Sequence, residues 1–196
     1  MTNEPVRQRL LALIAEDERV RAELAADGSL FDGYHPRMEA VHVANATALE
    51  AMLAQGWPGS ELAGEDGAEA AWRIVQHAIG LPAFQRRCLA LIEAAVTAGD
   101  APAYQAAYLS DRIRTFEGRP QLYGTQFDWD DKGEMSPRPI EDEANVDARR
   151  LALGLSTLAE ITAHHRSTLG TQRRPAGDAD RKRDFEAWLR KTGWRS

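Results

Sequence analysis

The sequence holds one cysteine, Cys88, so a disulfide within the chain is excluded and stability has to come from a packed core. Its spacing from Phe84 and Leu91 puts it on the apolar face of a helix, where a thiol with no histidine at a helical neighbour position is expected to be buried and inert. Long apolar runs are missing too: Glu, Asp and Arg recur throughout residues 1–25, which leaves neither a signal-peptide core nor a spanning segment there. A cytoplasmic protein with no membrane partner is the expectation. No glycine cluster is followed by Lys-Ser or Lys-Thr, and neither His-Glu-x-x-His nor a paired-cysteine motif occurs. No serine sits in a nucleophile elbow, so covalent catalysis is not expected, and no cofactor is expected either.

A broad positive surface is also lacking. Residues 171–196 hold eight Lys or Arg against four Asp or Glu, and this leaves residues 1–170 at −10 within a chain of net charge −6. An acidic body with a short basic tail argues against nucleic acid as a partner. A small polar molecule is the partner expected, with a protein partner or a homo-oligomer left open.

What the sequence does have is helix punctuation. Asn3 is a plausible N-cap with Pro5 in the first turn, and Leu10, Leu11, Leu13, Ile14, Val20 and Leu24 recur at near-helical spacing until Gly28. A second helix runs from Pro36 to Gly56, and a third from Gly67 to Gly80, with "GEDG" (64–67) as its start. A fourth runs from Pro82 to Gly99 and a fifth from Pro102 to Gly118. Proline near the start and glycine past the end, with short loops between, indicates antiparallel helical hairpins.

After Gly118 the pattern changes. "QLYGTQFDWD", the turn candidate "DKG" and "EMSPRPI" (121–140) read as two extended segments around a hairpin, with Pro137 and Pro139 confining the second to an edge. Helix returns at "NVDARRLALGL" (145–155) and at "STLAEITAHHRSTLG" (156–170), where Thr157 and Glu160 have capping-box spacing. The expected fold is therefore mainly α: a compact bundle of six to eight helices with a small β-hairpin insertion around residues 120–140. One helical domain should span residues 1–170. Residues 171–196 should form a linker and an amphipathic helix that docks Phe185, Trp188 and Leu189 on its own domain.

Polar residues that share a face with core residues are the informative ones, because a buried polar group without a hydrogen bond costs about 1–3 kcal/mol. His42 and Asn45 fall on the stripe of Met38, Leu49 and Met52, and Gln85 falls on that of Leu89, Ile92 and Val96. Gln76 lies at the border of the third helix's buried side, with His77 nearly opposite, facing either solvent or a cleft. Asp111 stacks with Tyr104 and Tyr108, and Arg112 follows Gln105 and Leu109. Each has a bland reading as an interhelical clasp, a loop anchor or a structural ion pair. Together with Gln121, Tyr123, Thr125 and Gln126 they exceed what a helical core of this size has to satisfy, and a polar-lined pocket is one economical explanation.

The blocks "MEAVHVANATAL", "GWP", "AAWRIVQHAIGLPAFQRRCL", "AYLSDRI", "GRPQLYGTQF", "PIEDEANVDARR" and "GL" occur in order over residues 34–160. Together they resemble a widespread bacterial family known only as a domain of unknown function. The resemblance implies that His42, Asn45, Gln76, His77, Gln85, Asp111, Arg112, Gln121, Tyr123, Gly124, Thr125, Gln126 and Arg150 are its motif positions. It implies no activity.

The leading expectation is a small-molecule enzyme, a hydrolase or lyase, using non-covalent acid-base chemistry. His77 or His42 would be the acid or base, oriented by Asp111. Arg112, Asn45, Gln76, Gln85, Gln121, Tyr123, Thr125 and Gln126 would bind substrate. A module that binds a ligand or protein without reacting is the alternative. A metal-dependent enzyme is a further one, through Glu160 and His164-His165 or through His42, His77 and Asp111 brought together by the fold. Under a purely architectural reading, the same polar set clasps the hairpin onto the helices.

Overall fold

The computed structural model describes residues 2–31, 33–169 and 177–196; residues 171–176 of the expected linker lie outside them. The chain is mainly α, with eight α-helices and one two-stranded antiparallel hairpin among the described residues. It divides into two compact units, Met1–Pro102 and Ala103–Ser196.

The first unit contains α1 (Glu4–Ala26), α2 (Pro36–Glu50), α3 (Ser60–His77) and α4 (Pro82–Ala98). Asn3 caps α1, its side chain accepting from Val6 N at 3.2 Å, and prolines open α1, α2 and α4. α1 packs along α3 and against α2, burying Leu10, Ile14, Val20 and Leu24 with Met38, Ala46 and Leu49 of α2 and Ala63, Ala71, Ile74 and Val75 of α3.

Two boundaries differ from expectation. α2 ends at Glu50 and a short 3₁₀ turn, Leu53–Gln55, completes the segment to Gly56. α3 begins at Ser60 and runs through a kink at Gly64 (φ 69°), so Gly67 is inside the helix rather than at its start. A Cβ on Gly67 would lie 3.1 Å from Ala63 Cβ and 3.3 Å from Arg7 Cγ, so this glycine lets α1 and α3 approach closely. The start of α3 is capped from a distance: Asp100 Oδ1 accepts from Glu61 N at 2.7 Å and Ser60 Oγ at 3.0 Å.

The second unit contains α5 (Ala103–Phe116), β1 (Phe127–Trp129), β2 (Met135–Pro137), α6 (Val146–Leu151), α7 (Leu158–Leu169) and α8 (Asp178–Lys191). The hairpin pairs Phe127 with Pro137 and Trp129 with Met135. The first extended segment is shorter than expected, because residues 121–126 form a loop in place of strand. The Thr157–Glu160 box opens α7, with Thr157 N donating to Glu160 Oε2 at 2.8 Å and Glu160 N to Thr157 Oγ1 at 3.3 Å. α8 packs on the end of α5: Phe116 meets Phe185, Trp188 and Trp194 edge-on, and Arg195 donates to the Phe116 and Thr115 carbonyls at 2.8 and 3.0 Å.

Candidate functional site

The nominated polar residues separate into two sets with different physics. In the second unit they hold the loop 121–126. Asp111, fully buried on α5, accepts from the backbone N–H groups of Leu122, Tyr123 and Thr125 and from the Thr125 hydroxyl, at 2.6–3.1 Å. Burial pushes this carboxyl up from its ordinary value, against the pull of those hydrogen bonds.

The loop's carbonyls are taken from the other side. Arg150, 2% exposed, donates to Tyr123 O and Ser156 O at 2.6 Å, and Arg149 donates to Leu122 O at 2.8 Å. Gln121 closes the loop on itself, with Oε1 accepting from Gln126 N at 2.9 Å and Nε2 donating to Gln126 O and Arg138 O at 3.0 and 2.8 Å. The Gln126 side chain reaches only Thr125 Oγ1, at 3.1 Å. The Arg112 guanidinium is buried, and burial pushes it down to about 10. Asp111 and Thr125 thus spend their hydrogen bonds on one loop, and Gln121 and Arg150 also tie that loop to Arg138 O and Ser156 O.

Several first-unit residues are clasps as well. Asn45 Nδ2 donates to Leu13 O at 2.9 Å and ties α2 to α1. Gln85 Nε2 donates to Val75 O at 2.7 Å, satisfying a carbonyl at the end of α3. Gln76 is buried one residue before His77. Cys88 is fully buried, and burial pushes its thiol up to about 12, which leaves it unreactive.

The two histidines meet a carboxylate that the sequence reading did not nominate. Asp17 projects from the middle of α1 and is 1% exposed. Its Oδ2 lies 2.9 Å from His77 Nδ1 and 3.0 Å from His42 Nε2. His42 is buried on α2, and its Nδ1 lies 2.8 Å from the Tyr34 hydroxyl; the Tyr34 ring stacks on it at 5.6 Å. His77 ends α3 and keeps 23% of its side chain exposed, so it is the member that reaches the surface. The two imidazoles are 5.4 Å apart between centroids. Asp17, and not Asp111, is the carboxylate of the histidine pair. Asp17 also answers to the stripe rule: Leu10, Leu13, Ile14, Asp17, Val20 and Leu24 form the buried face of α1.

Electrostatics set the protonation of the centre. Burial alone would raise the Asp17 carboxyl, but the neighbouring His42 and His77 imidazoles hold it well below the usual carboxylate range. Burial pushes His77 down by more than Asp17 pushes it up, so a carboxylate faces a neutral His77 ring at neutral pH. A neutral His77 that donates Nδ1–H to Asp17 leaves Nε2 as a lone pair. One donor atom from each of Asp17, His42 and His77 lies within 4.8 Å of the others, and among the described residues these three form the group that could hold a metal ion. His164 and His165 are not a comparable site, because the His165 ring packs on Phe127 at 4.3 Å. An open groove of about 830 Å³ in the second unit, floored by Val146, Leu158, Ala159 and Ala163, carries none of the nominated residues.

The family model that matches this chain covers residues 4–172, all of α1 through α7. The chain belongs to the Family of unknown function (DUF6624). The match takes in Asp17, His42 and His77 together with the loop 121–126, and leaves α8 outside. No curated protein and no solved structure matches the chain. No helix among the described residues is long and apolar enough to cross a membrane.

Proposed function

We propose that the chain is an enzyme of the hydrolase or lyase kind, acting on a small polar molecule by proton transfer without a covalent intermediate. Its reactive centre is Asp17, His42 and His77. The observation that carries the reading is the 2.9 Å contact between a buried carboxylate and a neutral imidazole that keeps 23% of its side chain exposed. Such a carboxylate fixes the ring's tautomer and orientation and stabilises the imidazolium when a proton is taken up. His42, buried behind it against Tyr34, lies 3.0 Å from the same carboxylate oxygen and has no access of its own. A structural ion pair has no need of a second imidazole, and a surface histidine has no need of a buried acid.

The test is a screen of the full chain against small esters, amides, phosphate esters and hydroxy acids. It is repeated with His77→Asn and Asp17→Asn, and the fold is checked by circular dichroism. A positioned acid or base contributes roughly 10²–10⁴ in rate, so each variant should lower the turnover at least about 100-fold. Turnover that survives His77→Asn would sink the reading. Saturable binding of a screened compound with no chemical change would replace it with the non-catalytic alternative.

A further inference from the structure

We propose that Asp17, His42 and His77 together hold one divalent first-row transition-metal ion. The proposal rests on the preceding reading only for which residues form the centre.

Two buried atoms carry it. Asp17 Oδ1 accepts no hydrogen bond, and the Arg21 guanidinium, the cation beside it, is half-exposed with Nε at 3.6 Å. His42 Nε2 lies at hydrogen-bonding distance from Asp17 Oδ2, 3.0 Å, yet makes no hydrogen bond, so its direction and not its distance is at fault. Asp17 Oδ1 and His42 Nε2 are both left without a hydrogen bond, and one donor atom from each of Asp17, His42 and His77 lies within 4.8 Å of the others. An ion there takes the lone pairs of His42 Nε2, His77 Nδ1 and an Asp17 oxygen, with the His77 proton moved to Nε2, and removes the cost of burying two unused polar atoms.

The surroundings suit it. With Nε2 given to an ion, the His42 proton sits on Nδ1 and is donated to the Tyr34 oxygen 2.8 Å away, the outer contact that metal-bound histidines make. The stacked Tyr34 ring holds that orientation. His77 is the last residue of α3, where the helix's unpaired carbonyls favour positive charge.

Two imidazoles and one carboxylate select an ion such as Zn²⁺ or Co²⁺ over Mg²⁺ or Ca²⁺, which demand oxygen. Three protein ligands leave a position for water, whose acidity such an ion raises.

The experiment titrates the full chain, stripped by chelator, with Zn²⁺ by calorimetry and with Co²⁺ by visible absorption. One ion per chain is expected. Binding should vanish in Asp17→Asn and in His77→Gln, and persist in Cys88→Ala and in the double change His164→Ala, His165→Ala. Tyr34→Phe should weaken it about 10- to 100-fold. If Asp17→Asn fails to fold, the partly exposed His77→Gln decides. No saturable binding, or binding unchanged in His77→Gln, overturns the proposal. Turnover that depends on His77 in a chain that binds no ion leaves the enzyme reading standing and defeats the metal; one ion per chain without turnover does the reverse.

Discussion

Asp17 and His77 are sixty positions apart in the chain, yet His77 Nδ1 lies 2.9 Å from Asp17 Oδ2. α1 carries the carboxylate into the core of the first unit and α3 delivers the ring at its final residue, so the contact depends on the packing of two long helices. Asp111 is built on the opposite logic. Its hydrogen bonds go to the backbone of a loop 11–14 residues away, with one hydroxyl added. One carboxylate orders a chain segment, and the other is held among titratable rings.

The two should therefore answer differently to truncation. Asp111→Ala removes the acceptor of several buried N–H donors at once and should cost about 3–5 kcal/mol, a fall in melting temperature of roughly 10 °C. His77→Ala opens a partly exposed site to water, which can replace the lost donor, and should change stability by no more than about 1 kcal/mol. Thermal melts of both variants beside the parent check this, and an equal loss in the two would contradict the separation.

Gly124 offers a second test of the loop. Its φ is +65°, and a Cβ there would meet Leu158 Cδ1 at 2.7 Å and Ile140 Cδ1 at 3.0 Å. Gly124→Ala should cost about 1–3 kcal/mol, part from left-handed backbone and part from overpacking. Adding Leu158→Ala should relieve the packing part only. A double-mutant cycle in denaturant should show a coupling of at least about 0.5 kcal/mol.

The loop's role was only half legible in the sequence. Proline and glycine punctuation marked α1, α4 and α5 almost to the residue, because those positions obey local backbone rules. Gly67 misled, since close approach of α1 to α3 uses glycine for its missing Cβ and not for its flexibility. Burial of His42, Asn45 and Gln85 followed from helical stripes, which report a face but not a partner. Asp17 sits in "AEDERVRAE", a charged run that reads as solvated, although the stripe of α1 passes through it. Pairing Asp17 with His77 in place of Asp111 needed the packing of distant helices, which no local pattern contains.

The hairpin turn should be sensitive to acid. Asp130 accepts from Lys132 N, Glu134 N and Ser136 Oγ, each at 2.9 Å, and the Glu134 N–H foremost holds its carboxyl below the ordinary 3.8. A folded value below the unfolded one means that the folded chain binds the proton less readily. The stabilisation is therefore complete above the unfolded value and is lost as pH falls through the folded one. Asp130→Asn should melt below the parent near neutrality, and the gap should close as pH drops below about 4. Melting curves of the pair between pH 7 and pH 2.5 give the comparison, and a gap independent of pH would assign the effect to shape and not to charge.

α8 lies outside the family match. Trp194 is 4% exposed and Leu189 is fully buried, and Arg195 donates to two carbonyls in the last turn of α5. Trp194→Ala removes the aromatic closest to Phe116, 5.1 Å between centroids against 5.8 and 6.1 Å for Phe185 and Trp188, and should cost about 3–5 kcal/mol. Truncation before residue 177 removes the whole aromatic group and the carbonyl cap, so it should lower the melting temperature further. Because Asp17, His42 and His77 belong to the first unit and α8 to the second, metal affinity per folded chain should be the same in both variants as in the parent. If truncation left the melting temperature unchanged, the buried aromatic contacts would contribute nothing to stability and α8 would be a detachable arm.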